Sequence, residues 1–185
     1  MPRQDWKLAE RAAFLTRLQA ENYVRLLEIG AGPGHDSLFF AQHDLDVIAT
    51  DVSPQMVARC RRKGLTALVM DFGRLEFAPG SFDAVHAMNC LLHVPNAYLP
   101  GVLTEIARVL RPGGLSFLGV YGGRGQEEVI EDDDHVPARF LSWRTDEQIL
   151  AFASETFDVV DFHVAAEGTS YRFQSLTLRR RAERE

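Results

Sequence analysis

The sequence has little cysteine, no long apolar run and no excess of positive charge. Two cysteines, Cys60 and Cys90, allow at most one disulfide, and a chain in the cytosol would keep them reduced. A run of about 18 apolar residues, which a membrane-spanning helix needs, is missing, as is the charged-then-apolar pattern of a signal peptide. These absences predict a cytoplasmic protein.

The charge balance argues against a dedicated nucleic-acid binder. The formal net charge is -6, with 26 acidic and 20 basic side chains, whereas such binders usually present a basic face. The cluster Arg179–Arg181 lies beside Glu183 and Glu185 and is expected to form a solvated tail. The six histidines lack metal-ligand spacing, so no metal site is predicted.

The length of 185 residues predicts a single domain in which strands alternate with helices. Apolar periodicity predicts strands at 23–29, 46–50, 65–70, 82–88, 115–121, 157–164 and 171–178. A leading helix at 4–20 and helices at 36–42, 54–63, around 102–110 and at 145–154 complete the pattern. We therefore expect an α/β fold: one doubly wound, mostly parallel seven-stranded sheet, with helices on both faces and an antiparallel C-terminal hairpin. Its ligands should bind beyond the carboxyl ends of the strands.

A glycine-rich loop, Gly30-Ala31-Gly32-Pro33-Gly34, follows the first predicted strand. Glycines let the backbone turn tightly and let a ligand approach closely. The dinucleotide fingerprint has a third glycine where this sequence has His35, and that glycine permits close packing of helix on strand. The spacing therefore argues against NAD.

Two acidic positions follow the next strands. Asp51 ends the second strand, where a carboxylate can accept both ribose hydroxyls; alternatively it caps the next helix. Asp71 and Phe72 follow the third strand, where an acid can bind an adenine amino group and an aromatic ring can cover the purine. The alternative is a turn acid beside a core phenylalanine.

Taken in order, five motifs resemble those of class I S-adenosylmethionine (SAM)-dependent methyltransferases, most closely the small-molecule branch that includes the menaquinone and tellurite types. They are Leu26–Gly34, the acid in Thr50–Ser53, Met70–Phe72, Ser81–Val85 and Val109–Gly114. Residues 22–121 carry most of this resemblance.

The resemblance implies roles for particular residues toward SAM. The methionine end would be lined by Glu28, Gly30, Ala31, Gly32 and Gly34, and the ribose would be held by Asp51. The adenine would be flanked by Val52 or Met56 and contacted by Asp71 and Phe72. The backbone carbonyl of Asn89 would accept the methionine ammonium. Asp36 either touches that ammonium or only begins the helix.

Candidate catalytic residues are few. A general base is needed only when the acceptor is a hydroxyl or another protonated group. His93, just after strand four, is a candidate base, with a structural or substrate-lining role as the alternative. Tyr121 and His135 face the expected substrate opening. Cys90 lacks the preceding proline of cytosine-C5 methyltransferases, so nucleic-acid methylation is disfavoured.

The segment 122–144 is predicted to be a substrate lid loop. Its acidic run is either a solvated face or a lid that favours a cationic substrate, and Trp6 of the leading helix is expected to help close the pocket. The predicted function is methyl transfer from SAM to a small molecule, with S-adenosylhomocysteine as product, by a monomer or homodimer without nucleic-acid or membrane partners. A non-catalytic SAM-binding module and an NAD-dependent oxidoreductase are the alternatives.

Overall fold

The computed structural model describes residues 5–130, 138–165 and 172–182. Its helices are Asp5–Ala20 (α1), His35–Ala41 (α2), Pro54–Arg62 (α3), Leu99–Val109 (α4) and Asp146–Thr156 (α5), and a 3-10 turn covers Leu91–His93. Its strands are Arg25–Ile29 (β1), Asp46–Asp51 (β2), Thr66–Val69 (β3), Phe82–Met88 (β4), Leu110–Gly122 (β5), Gln126–Val129 (β6), Phe140–Trp143 (β7), Phe157–Ala165 (β8) and Arg172–Arg180 (β9).

The main sheet has seven strands in the order β3-β2-β1-β4-β5-β9-β8. The pairs from β3 to β5 are parallel, and β9 is antiparallel to both β5 and β8. The predicted fold class is confirmed. The strand order reverses between β1 and β4, so a ligand site is expected where their carboxyl ends meet. No helix in the described ranges is long and apolar enough to cross a membrane.

Local capping signals set the helix boundaries. The hydroxyl of Ser53 accepts a hydrogen bond from the Met56 amide (3.4 Å) at the start of α3. The chain leaves α3 at Gly64 with φ +81°, a left-handed conformation that glycine adopts without strain. Thr145 and Gln148 form the predicted capping box of α5. These signals confirm the predicted positions of both helices.

The two faces of the main sheet carry separate apolar clusters, because successive side chains of a strand point to opposite faces. On one face α1 and α2 pack on the sheet through the buried residues Phe14, Leu18, Phe40 and Phe117. On the other face α4 and α5 pack through Leu103, Ile106, Ile149 and Ala153. The sheet is therefore covered on both sides, and its carboxyl edge is left for a site.

The predicted lid segment is not only a loop. Within it, β6 and β7 pair antiparallel and form a two-stranded ribbon. Leu141 and Ser142 of β7 are buried, and β7 contacts the 3-10 turn. Each of these strands has only four residues, so its alternation is too short to predict a strand from the sequence. Most of that run, residues 131–134, and His135 lie outside the described residues, so their expected roles remain predictions.

The expected solvated tail at the C-terminus is wrong for Arg179. This residue belongs to β9, and its guanidinium donates to both carboxylate oxygens of Glu21, at 2.6 and 2.9 Å. It also donates to the Gly113 carbonyl at 2.8 Å. The hydrogen bond from Arg179 is the largest of the effects that lower the pKa of Glu21 to about 2. Arg179 thus anchors the end of β9 to the segment after α1.

Candidate active site

The glycine loop after β1 lies against two neighbouring elements. The Ala31 amide donates to the Thr50 carbonyl of β2 at 2.9 Å. A Cβ placed on Gly30 would fall 2.4 Å from the Cβ of Cys90, which is closer than any two carbon atoms can pack. Gly30 therefore has no room for a side chain, and its backbone faces a cavity.

Asp51 also lines this cavity and is held in place by two backbone amides. Its carboxylate accepts hydrogen bonds from the amides of Gly32 and Ser53, both at 2.8 Å. Each oxygen keeps lone pairs for a further donor. The helix cap itself is the Ser53 hydroxyl, so Asp51 links the glycine loop to α3 and still faces the cavity.

The first cavity has a volume of about 530 Å³ and lies at the carboxyl ends of β1, β2 and β4. It is lined by Gly30, Asp51, Val52, Phe72, Asn89, Cys90, His93, Ala138, Arg139 and Phe140. Five of the residues predicted to bind the cofactor are among them: Gly30, Asp51, Val52, Phe72 and Asn89. These five residues, which come from separate motifs of the sequence, thus line one cavity, and their binding of a cofactor remains a prediction.

Asn89 has the features of a ligand-facing residue. Its backbone is left-handed, with φ +57°, and its amide donates to the Gly119 carbonyl at 2.7 Å. Its side-chain Oδ1 is buried and accepts no hydrogen bond from the described residues. Because a buried acceptor without a donor is costly, a donor from a ligand fits this position.

Other predicted cofactor residues are not among those that line this cavity. Ala31 is buried in a small cluster with α3, Gly32 and Gly34 are in left-handed loop positions, and Met56 is half-buried on α3. Asp71 is exposed, and its carboxylate accepts from the Gly73 amide at 2.7 Å. With Phe72 and Val52 it lines an adjoining hollow.

Glu28 and Asp36 face the side of the sheet covered by α1. Glu28 is buried and accepts a hydrogen bond from the Ser37 hydroxyl, and one of its oxygens lies 3.6 Å from His86 Nδ1. Asp36 forms a salt bridge with Arg11 of α1 at 2.7 Å.

The alternation of side chains along β1 explains the placement of Glu28, because Glu28 shares the face of Leu26 rather than that of Leu27 and Ile29. The possible metal-ligand atoms of Glu28, Asp36 and His86, two carboxylate oxygens and an imidazole nitrogen, lie within 4.8 Å of one another. The expectation that the protein binds no metal remains a prediction.

A second cavity of about 580 Å³ adjoins the first. Both cavities are lined by Asn89, His93 and Arg139. The rest of the second lining is Leu92, Tyr121, Arg124, Glu128, Ile130, Leu141 and Trp143. The ribbon therefore supplies most of one wall. Trp6 of α1 packs on Phe173, with ring centroids 4.3 Å apart, and lies 6.2 Å from the ring of Tyr121.

The ring orientation of His93 is defined by the ribbon. His93 Nδ1 lies 2.9 Å from the Phe140 carbonyl oxygen. A carbonyl oxygen only accepts hydrogen bonds, so Nδ1 carries the proton. In the neutral ring, Nε2 is then the unprotonated nitrogen with an available lone pair.

Arg144 holds the ribbon against the segment that carries His93. Its side chain is 1% exposed and donates to Asn96 Oδ1 at 2.8 Å, to the Leu91 carbonyl at 3.2 Å and to the Val94 carbonyl. Burial lowers the pKa of Arg144 to about 10, and the charge of Glu127 opposes this shift. The guanidinium thus joins β7 to the 3-10 turn through neutral acceptors.

Cys90 is unsuited to act as a nucleophile. It is buried, and its thiol donates to the Ile29 carbonyl at 3.3 Å. Burial, reinforced by the charge of Glu28, raises the pKa of Cys90 to about 12, whereas nucleophilic cysteines have lowered pKa values. Both cysteines are free thiols.

Sequence reasoning missed two residues of the candidate site, Arg124 and Arg144. Arg124 lines the second cavity, and Arg144 fixes its wall. No short motif marks either residue. The glycines on both sides of Arg124, Gly123 and Gly125, were a usable signal, since both adopt positive φ where the ribbon begins.

The strand order, the glycine loop and the acidic end of β2 agree with the fold expected from the resemblance to class I SAM-dependent methyltransferases. Residues 26–114 match a family model described as a methyltransferase domain. It is 42% identical over 106 residues to demethylmenaquinone methyltransferase of Beutenbergia cavernae. That alignment covers 56% of this chain and 43% of the relative, so the chain spans less than half of that protein.

Two solved structures share the fold. A SAM-dependent methyltransferase from Methanosarcina mazei superposes with a TM-score of 0.78 at 17% identity, covering 89% of this chain and 97% of the other. The 1,6-didemethyltoxoflavin-N1-methyltransferase of Burkholderia thailandensis, solved with its substrate and S-adenosylhomocysteine, gives a TM-score of 0.74 at 22% identity, covering 94% and 79%. At these identities the likeness concerns the fold.

Proposed function

We propose that the protein transfers the methyl group of SAM to a small-molecule acceptor. One observation carries this proposal: two adjoining cavities share a wall of Asn89, His93 and Arg139 at the carboxyl edge of the sheet. The first cavity is lined by a carboxylate, an aromatic ring and an amide oxygen, which suit a ligand made of a nucleoside joined to an amino acid. The second is open to another molecule. A donor in one and an acceptor in the other would meet at the shared wall.

The residues of the first cavity fit SAM. Asp51 offers carboxylate lone pairs for ribose hydroxyls, and Phe72 offers an aromatic face beside Val52 for the adenine. The unpartnered Oδ1 of Asn89 suits the ammonium group, in addition to the backbone carbonyl first expected to do so. Gly30 lets the ligand approach the backbone closely.

When bound, SAM supplies an electrophilic methyl carbon on a positively charged sulfur. The protein contributes alignment of the two reactants and exclusion of water, which together account for a large share of catalysis in such reactions. In the neutral ring, His93 Nε2 accepts the proton that a hydroxyl acceptor loses as its oxygen bonds to the methyl carbon. The methyl–sulfur bond breaks in the same step, and S-adenosylhomocysteine leaves. Tyr121 lies across the second cavity and contacts the acceptor.

Calorimetric titration of SAM, S-adenosylhomocysteine and NAD tests the cofactor assignment. We expect the first two to bind wild type, and Asp51→Ala to lose at least tenfold in affinity. Ser53→Ala is the matched control, because it removes the helix cap next to Asp51 and leaves the carboxylate. Binding of NAD without binding of SAM would reject the proposal.

A further inference from the structure

The ribbon wall of the second cavity holds an ordered indole. Trp143 Nε1 donates to Glu128 Oε1 at 2.6 Å across the β6–β7 pair. This bond fixes the ring edge, and both residues line the cavity. A ring held in this way offers a preformed planar surface, which costs little entropy when a ligand binds.

Arg124 adds a positive charge to this surface. Its guanidinium carbon lies 4.6 Å from the Trp143 ring centroid. An arginine over an aromatic ring keeps its charge and its fork of N–H donors. In the described part of the chain no carboxylate is hydrogen-bonded to the Arg124 guanidinium, and Arg124 lines the cavity.

The acidic residue of the same wall is already engaged. Glu128 accepts from Trp143 with one oxygen and from Gln126 Nε2, at 3.3 Å, with the other. The Arg124 guanidinium, which has no hydrogen-bonded carboxylate among the described residues, is therefore the group of this wall that an anion can bind.

Apolar side chains complete the cavity, namely Leu92, Ile130 and Leu141. Together with the rings of Tyr121 and Trp143 they suit a flat, largely apolar molecule.

Resting on the proposed function, we infer that the acceptor is a planar aromatic compound that carries an anionic group. Arg124 binds the anion and Trp143 covers the ring, which directs the reacting hydroxyl toward His93 at the shared wall. This assignment is opposite in sign to the cationic substrate that the acidic run of the sequence suggests.

A matched series of probes tests this inference: 4-hydroxybenzoate, its neutral amide 4-hydroxybenzamide, and the cationic 4-hydroxybenzylamine. The protein has two tryptophans, so Trp6→Phe leaves Trp143 as the only indole and its fluorescence reports binding at this wall. Titrations are made on Trp6→Phe saturated with S-adenosylhomocysteine. We expect the benzoate to bind at least tenfold more tightly than the amide, and the amine to bind most weakly.

Arg124→Gln in the same background should abolish the preference for benzoate over amide and leave binding of the amide unchanged. Arg62→Gln is the matched control, since Arg62 is exposed on α3 away from both cavities, and it should keep the preference. Tighter binding of the amine, an unchanged preference in Arg124→Gln, or no binding of any probe would each overturn the inference. Failure of S-adenosylhomocysteine to bind would instead reject the proposed function, and calorimetry on the same protein detects that separately.

Discussion

Gly30 and Cys90 touch with no space for a methyl group between them. The Cβ that Gly30 lacks would lie 2.4 Å from the Cβ of Cys90. This contact brings the loop after β1 against the turn after β4, where the strand order of the sheet reverses. The first cavity therefore has a floor made by backbone and a buried thiol.

Gly30→Ala should lower the free energy of unfolding by about 2–4 kcal/mol, from left-handed strain together with overpacking. Gly32→Ala is its control, because Gly32 also has positive φ, +53°, but a Cβ there meets no atom within 4 Å. That control should lose only about 1–2 kcal/mol. Urea unfolding measures both. Equal losses in the two variants would mean that the contact with Cys90 contributes nothing to stability.

Replacement of His93 by glutamine should lower kcat for a hydroxyl acceptor by about 10²–10⁴-fold, the usual contribution of a general base. Affinity for S-adenosylhomocysteine should stay within a factor of about two, since a base acts on the acceptor. The rate of methylation of 4-hydroxybenzoate is measured for both proteins at the same pH. A kcat of His93→Gln close to that of wild type would mean that another group accepts the proton.

Arg144→Met should lower the free energy of unfolding by about 1–3 kcal/mol, because it leaves the buried Val94 carbonyl without its donor. The Leu91 carbonyl and Asn96 Oδ1 each lose one donor but keep the Val94 amide and the Ser142 hydroxyl. Arg144→Lys keeps the charge but not the fork of donors, so we expect an intermediate loss. Urea unfolding gives the stability, and the Trp143 fluorescence, measured on folded variants in the Trp6→Phe background, reports the ribbon. If Arg144→Met were as stable as wild type with unchanged fluorescence, the ribbon would be held by other contacts.

Stability should depend on pH through His163, and should decrease as the pH rises above the ordinary imidazole pKa of 6.5. His163 joins Glu10 of α1, at 2.9 Å, to Asp161 of β8, at 2.8 Å. Burial lowers the pKa of His163, but the hydrogen bonds and charges of Glu10 and Asp161 outweigh it, so the net shift is upward from 6.5. The charged form is thus favoured in the folded state.

The stabilisation from His163 is fully present below the unfolded-state pKa and is lost as pH rises through the raised folded-state pKa. Arg17, 3.8 Å from Asp161, and Ser175, which donates to Glu10 at 2.5 Å, hold the two carboxylates when the imidazole is neutral. Urea midpoints of wild type should therefore fall modestly with pH, and those of His163→Gln should vary less. If the urea midpoints of wild type and His163→Gln changed equally with pH, His163 would not contribute to the pH dependence of stability.

Local signals predicted much of the fold. The cap of α3, the left-handed exit at Gly64 and the capping box of α5 depend on residues three or four positions apart, so they can be read from the chain. The glycine loop and Asp51 could also be predicted locally, because each comes at the end of a strand that the apolar pattern predicts.

Contacts between segments that are distant in the sequence could not be predicted from local patterns. The sequence placed Glu28 beside the glycine loop, and only the packing of α1 and α2 turned its carboxylate toward Ser37 and His86. Arg144 contacts groups about 50 positions away in the chain, and no local pattern marks it.

The sequence by itself determined the class of sheet, the order of its elements and the residues that meet at its carboxyl edge, because strand period, capping and glycine conformation are local properties. Only the tertiary structure decided which side chains face the cavities, that the segment after β5 forms a ribbon, and that Arg124 and Trp143 form one surface. Those outcomes depend on which faces are buried when distant elements pack together, and burial is a property of the whole fold.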